Sequence, residues 1–261
     1  MTAPCRHASG LLLLLAATAC GGSQQGRDLS YGENARDAYA AAMEDFEDED
    51  CLEAEPAFRR VRREFPYSRY AALAELRAAD CLFLENKQQE AITAYRRFVR
   101  NRPSHPEVPY ARFKISESYF EQIPDDWLLA PPAHERDQGP TREALRQLRR
   151  FILDFPEDDR VERARELTRN ALSLLARHEL YVAGFYLDRD HPEAAIGRLE
   201  TLLRAYEGSG VEPQAMLLLG RTYLDLRDRA QARRTFRELI DRYPESGYAE
   251  QARAYLRELG G

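Results

Sequence analysis

Histidine and cysteine are the side chains of this 261-residue chain best suited to chemistry, and their spacing limits what they can do. His105, His134, His178 and His191 show no i, i+4 pairing, and neither a His-Glu-x-x-His nor a Cys-x-x-Cys string occurs, so no metal site is expected. There is no Gly-rich phosphate loop, no Gly-x-Ser-x-Gly elbow and no base set beside a nucleophile by short spacing. The acid pairs Asp125/Asp126 and Asp158/Asp159 fall where loops and helix caps belong. The expectation is a protein without catalytic residues, cofactor or metal, whose chemistry lies in its four cysteines and its surface.

Two of those cysteines belong to the first twenty residues. Arg6 and His7 give a weakly basic start, Leu11 to Leu15 with the following alanines make a short apolar run, and Ala17-Thr18-Ala19-Cys20 closes it with small residues. This is the pattern of a signal peptide, too short to span a membrane as a mature helix. With Cys20 directly after the small residues and Gly21-Gly22-Ser23-Gln24-Gln25-Gly26 behind it, the segment resembles a bacterial lipoprotein signal, although Ala17 stands where leucine is usual. The resemblance implies removal of residues 1–19, lipid on Cys20, and a polar linker over 20–30. Each buried methylene of the acyl chains adds about 0.8 kcal/mol, enough in sum for a lasting membrane anchor. Gly21, in place of the aspartate that retains such proteins at the inner membrane, implies the periplasmic face of the outer membrane.

Cys51 and Cys81 remain, in an oxidising compartment. They lie 15 residues to either side of Pro66, so a chain that turns there and returns antiparallel brings them level. Either they form a disulfide, contributing roughly 3 to 4 kcal/mol through loop entropy, or they are two small buried hydrophobes.

The elements that would carry these residues recur along the chain. Ala54 to Pro66, Ala91 to Pro103, Ala144 to Pro156, Ala195 to Glu207 and Ala232 to Pro244 each run from a small residue to a turn 12 positions on. Large apolar residues follow at +4 and +7, as in Phe58/Val61 and Phe236/Leu239, the stripe of a packed helix. A first helix precedes each: Ala35 to Phe46, Tyr70 to Leu84, Tyr110 to Gln122, Val161 to Leu187 and Gln214 to Leu226. Pro ends one helix and Ser68 or Ser246 caps the next, with Asp doing so after Pro156.

The closing positions are 37, 53, 51 and 37 residues apart. The tetratricopeptide unit of about 34 residues is the nearest helical-hairpin class. The expected fold is an all-α solenoid of about five such hairpins, about ten helices, with one long bridging helix. Its parts are repeats 1–2 and the first helix of repeat 3 (31–123), a Pro-rich loop with Trp127 (124–140), the second helix of repeat 3 with the bridging helix (141–187), and repeats 4–5 (188–261).

Composition narrows the partners. Apolar residues make up 44% and charged residues 31%, and Lys87 and Lys114 are the only lysines among 38 Lys and Arg. The arginine runs alternate with glutamates and the net charge is -6, which opposes binding to nucleic-acid phosphates. No later segment of 18 apolar residues exists to span a membrane. Most tyrosines fall on faces where such repeats pack. What remains is a surface: solenoid grooves bind extended or helical peptides, and Tyr39, Arg77 and Arg112 are expected among its liners.

Several strings in order resemble one family: Phe65-Pro66-Tyr67-Ser68-Arg69-Tyr70-Ala71, Ser104-His105-Pro106-Glu107-Val108-Pro109-Tyr110-Ala111, Arg136-Asp137-Gln138, and His178 to Tyr186 followed by Ala194-Ala195-x-x-Arg198. From about Tyr31 onward the chain is similar to the BamD family, lipoproteins of the outer-membrane β-barrel assembly machinery. That resemblance implies a non-enzymatic scaffold assisting folding and insertion of barrel proteins. It also implies that Arg198 docks the last periplasmic domain of a BamA-like barrel subunit and that the first repeats receive unfolded outer-membrane proteins; whether other lipoprotein subunits join is left open. A periplasmic tetratricopeptide adaptor for cell-wall or envelope-constriction machinery shares the repeats, but gives no reason for the Arg136 and Arg198 strings. A lipid-anchored hydrolase would need converging titratable groups in a pocket.

Overall fold

The apolar spacing becomes helix throughout. The structure, a computed structural model, describes residues 24–123 and 132–260. It contains α1 (Gln24–Glu47), α2 (Cys51–Glu64), α3 (Arg69–Leu84), α4 (Gln88–Asn101), α5 (Val108–Phe120), α6 (Gly139–Asp154), α7 (Val161–Leu187), α8 (Pro192–Ala205), α9 (Glu212–Asp225), α10 (Arg229–Arg242) and α11 (Gly247–Glu258), with a 3-10 turn at Ala133–Glu135. Each helix packs on the next in chain order, which gives five hairpins and a closing helix. No strand occurs among the described residues.

The second helix of every hairpin is buried at the positions the spacing marked. Ala54, Ala91, Ala144, Ala195 and Ala232 are fully covered, as are Phe58, Tyr95, Leu148, Leu199 and Phe236 one turn on. Alanine lets the two helices of a hairpin approach, and the large residue fills the space behind it, about 1.5–3 kcal/mol for each such side chain. Four of these helices then end two residues before a proline, as where the Phe65 amide closes on the Val61 carbonyl, and α8 ends two residues before Glu207. Ser68 accepts from the Ala71 amide at 3.2 Å and Ser246 from the Tyr248 amide at 3.2 Å. Asp158 accepts from the Arg160 amide at 2.9 Å, so it holds the turn before α7 and is not the residue that caps the helix.

The turn inside a hairpin has its own repeat. Glu49, Asn86, Asp190 and Arg227 all have φ near 60°, and each stands five residues before the buried alanine of the following helix. A left-handed residue costs an L-amino acid roughly 1–2 kcal/mol, and only Asn86 among the four is a type that tolerates it well besides Asp190. In the third hairpin the same position, five residues before Ala144, is Gly139, the first residue of α6.

The 27 residues of α7 span about 40 Å. Val161, Ala164 and Leu167 pack with Leu148 and Phe151 of α6, whereas Ala176 and Ala183 pack with Leu199 and Leu202 of α8. One helix therefore completes the third hairpin and opens the fourth. At the far end α9 and α10 touch closely: a Cβ on Gly220 would stand 2.3 Å from the Phe236 ring.

Three expectations change. Helix α1 begins at Gln24, inside the segment expected to be a linker over 20–30, and α6 begins at Gly139. Helix α11 raises the count from about ten to eleven; its buried Ala249 and Ala252 cover the last hairpin's apolar edge. Cys20, the signal segment 1–19 and Trp127 lie outside the described residues.

Candidate functional site

The first helices of the first three hairpins present a polar cluster on one side of the solenoid. The Tyr39 ring on α1 packs 5.4 Å from the Tyr70 ring, and Arg77 on α3 is close enough to bear on the charge of its phenol. Arg77 Nη1 donates to Asp80 Oδ2 at 2.5 Å and to the Tyr110 hydroxyl on α5 at 3.1 Å. Tyr95 on α4 donates to the other Asp80 oxygen at 2.5 Å. Arg160, just before α7, places its guanidinium 5.4 Å from the Tyr110 ring.

Burial sets the protonation of this cluster. It pushes the Asp80 carboxyl above the usual carboxylate range, against the pull of Arg77, Tyr95 and Tyr110. Burial also opposes the Arg77 charge, yet Asp80, Tyr110 and Tyr39 outweigh it and hold Arg77 above the ordinary arginine value. Burial first, then the nearby Asp80 charge, push Tyr110 and Tyr95 up, so both phenols keep their protons. Both Asp80 oxygens are engaged from within the protein. These converging titratable groups form a satisfied network that fixes three hairpins in register, and the half-buried Tyr39 and Arg77 present donors suited to carbonyls or a carboxylate of a docked chain.

Arg112 does not join them. Tyr110 faces Arg77, and two residues along an α-helix is about 200° of rotation, so Arg112 points between α4 and α6. There it lines a hollow of about 490 Å³ with Arg96, Arg100, Gln147 and Arg150. The grouping of Arg112 with Tyr39 and Arg77 is thus corrected by helix geometry.

Arg198 lies on α8 beside α7. Its Nη1 donates to Glu179 Oε2 at 3.3 Å, and the Tyr186 phenol lies near enough to help hold its charge. The Glu179 side chain is 6% exposed and that of Arg198 43%, so the pair has one buried partner and one that still reaches solvent. On the opposite face of α7, Tyr181 and Phe185 are exposed one turn apart, with Arg189 over Phe185 at 3.5 Å. His178 of the same face stands 2.7 Å from the His134 carbonyl, tying α7 to the 3-10 turn.

Cys51 and Cys81 come together as unbonded thiols in one core cluster with Ala54, Phe58 and Ala74.

Sequence reasoning passed over Asp80, Tyr95, Arg160 and Glu179. The signal for two of them was present. Asp80 lies inside the run Ala78-Ala79-Asp80-Cys81-Leu82, and Glu179 shares a helix face with Ala176 and Ala183. A lone acid on an apolar face must be buried with a partner.

This arrangement defines a tetratricopeptide-type α-solenoid, and a tetratricopeptide-repeat model matches residues 217–260. A family model described as outer membrane lipoprotein (YfiO) matches residues 32–235, and the chain belongs to that family. It is similar to the outer membrane protein assembly factor BamD of Caulobacter vibrioides, 26% identical over 97% of this chain and 80% of that protein. The BamD proteins of Neisseria meningitidis serogroup B (24% identical, 82% of this chain, 80% of that one) and Neisseria gonorrhoeae (23%, 91% of each) are similar too.

Proposed function

We propose that this chain is a lipid-anchored scaffold of the β-barrel assembly machinery, acting by protein-protein binding at the periplasmic face of the outer membrane. The observation that carries the reading is the outer membrane lipoprotein match over residues 32–235, which runs through four hairpins and into the fifth. Its relatives' name, outer membrane protein assembly factor, supports the process.

Within that reading the α7–α8 face around Arg198 receives the last periplasmic domain of a BamA-like barrel subunit, since a planar guanidinium can pair a partner carboxylate. The face around Tyr39 and Arg77 receives unfolded barrel proteins as extended chain. Cys20 carries the lipid. Affinity purification of the lipidated chain from detergent-solubilised outer membranes tests the whole. Recovery of a barrel protein with periplasmic repeats is the expected result; recovery of cell-wall synthesis proteins in its place would move the chain to the adaptor class.

A further inference from the structure

Cys51 is the first residue of α2, and Cys81 lies on α3 three residues before its end. Antiparallel packing of the two helices about the Pro66 turn sets them side by side. They are 7% and 0% exposed and share one buried cluster. Phe58, Ala54 and Ala74 wall the pair in, and Phe46 packs against the same cluster from α1. Among the described residues these are the two cysteines.

We propose that Cys51 and Cys81 are joined by an intramolecular disulfide in the exported protein, a covalent staple between the first and second hairpins. The bond forms by exchange with a dithiol-disulfide oxidant. One cysteine thiolate attacks the oxidant's disulfide to give a mixed disulfide, and the second displaces it. The two cysteines lose two protons and two electrons, and the oxidant leaves as a dithiol. Both side chains are closed off in the folded state, and burial, with the neighbouring Cys51 after it, pushes the folded Cys81 thiol up and makes it a poor nucleophile. Exchange therefore belongs to folding, when α2 and α3 have paired and their cluster is still open.

The staple's position gives it a consequence for the surface. Cys81 follows Asp80, whose oxygens hold Tyr95 and Arg77, and Cys51 follows the left-handed turn at Glu49. Fixing these two backbones fixes the spacing between Tyr39 on α1 and Arg77 on α3. The inference rests on export of the chain to an oxidising compartment.

The test is peptide mass mapping of the full chain from the outer-membrane fraction, denatured in alkylating reagent without reductant. The expected result is a Cys51–Cys81 linked peptide pair, about 2 Da lighter than the two free peptides, carrying no alkyl group until reductant is added. Reductant should lower the melting temperature by about 6 °C or more, and the Cys51→Ser/Cys81→Ser double variant should show no reductant response. Alkylation of both cysteines without reductant in this fraction overturns the proposal. The same map on chain refolded in a glutathione redox buffer separates the two readings: a bond formed there, with no chain in the outer-membrane fraction, upholds the pairing and refutes export, whereas thiols that persist after refolding overturn the pairing.

Discussion

The Arg198 guanidinium on α8 lies 3.3 Å from the Glu179 carboxylate on α7, so the arginine expected to meet a partner already has an internal one. The two uses are compatible because a guanidinium has five donors and Arg198 remains 43% exposed while Glu179 is covered. Glu179 pre-orients the fork, and a partner carboxylate would take the donors it leaves free.

Arg198→Glu is accordingly expected to weaken binding to the periplasmic region of a BamA-like subunit by about 2 kcal/mol or more, the scale for breaking a charged interface pair. It also sets two carboxylates together, so a thermal melt must accompany the calorimetry. Glu179→Gln keeps the shape and the Arg198 charge, and should lose less. Unchanged affinity of Arg198→Glu removes this residue from the interface.

Arg77→Ala should destabilise the protein by about 3–5 kcal/mol, because it leaves the Asp80 carboxylate buried with only phenols as donors. Urea unfolding measures this. A loss below about 1 kcal/mol would mean that water replaces the guanidinium at Asp80.

Gly220→Ala pushes a methyl group into the Phe236 ring, which is fully buried and stacked on Tyr255 with centroids 5.1 Å apart. With the ring held on both sides, a cost of about 1–3 kcal/mol is expected. An unchanged melting temperature would show that α9 and α10 can separate freely.

Arg227→Gly removes the Cβ from a residue at φ 63°. A gain of up to about 1 kcal/mol is expected, less than the full left-handed penalty because glycine is also more mobile when unfolded. Denaturant midpoints decide it, with Arg234→Gly inside α10 as a control that should lower stability.

The Arg160 side chain donates to Asp158 at 2.8 and 2.7 Å and holds its carboxyl below the usual carboxylate range. With the folded value below the unfolded one, the folded state releases this proton more readily. Its stabilising contribution is complete above the unfolded value and lost as pH falls through the folded value. An NMR titration should find the Asp158 midpoint below that of a free aspartate, and Arg160→Ala should raise it.

How far the fold was legible depended on whether the signal was local. The second helices were, because Ala54/Phe58/Val61 and its four repeats state a small residue, a large one and a third on one helix face, and all of them are buried. Helix α11 was missed in the count although Ser246 marked its start, since a single closing helix has no repeat to compare with. The Tyr39–Arg77 contact was expected as a shared surface, and the network behind it was not.

The amino-acid sequence by itself determined the helices, their hairpin order, the long α7 and the family, because each rests on spacing within one segment or on ordered strings. Only the tertiary structure decided which polar residues meet. Arg77 finds Tyr110 at 33 residues' distance, and Arg112, two residues beyond that tyrosine, faces the other side. The physical reason is that a helix turns about 100° per residue. A side chain's face is therefore fixed by the rotation at which its helix packs, and that rotation is set jointly by the apolar surfaces of both neighbouring helices.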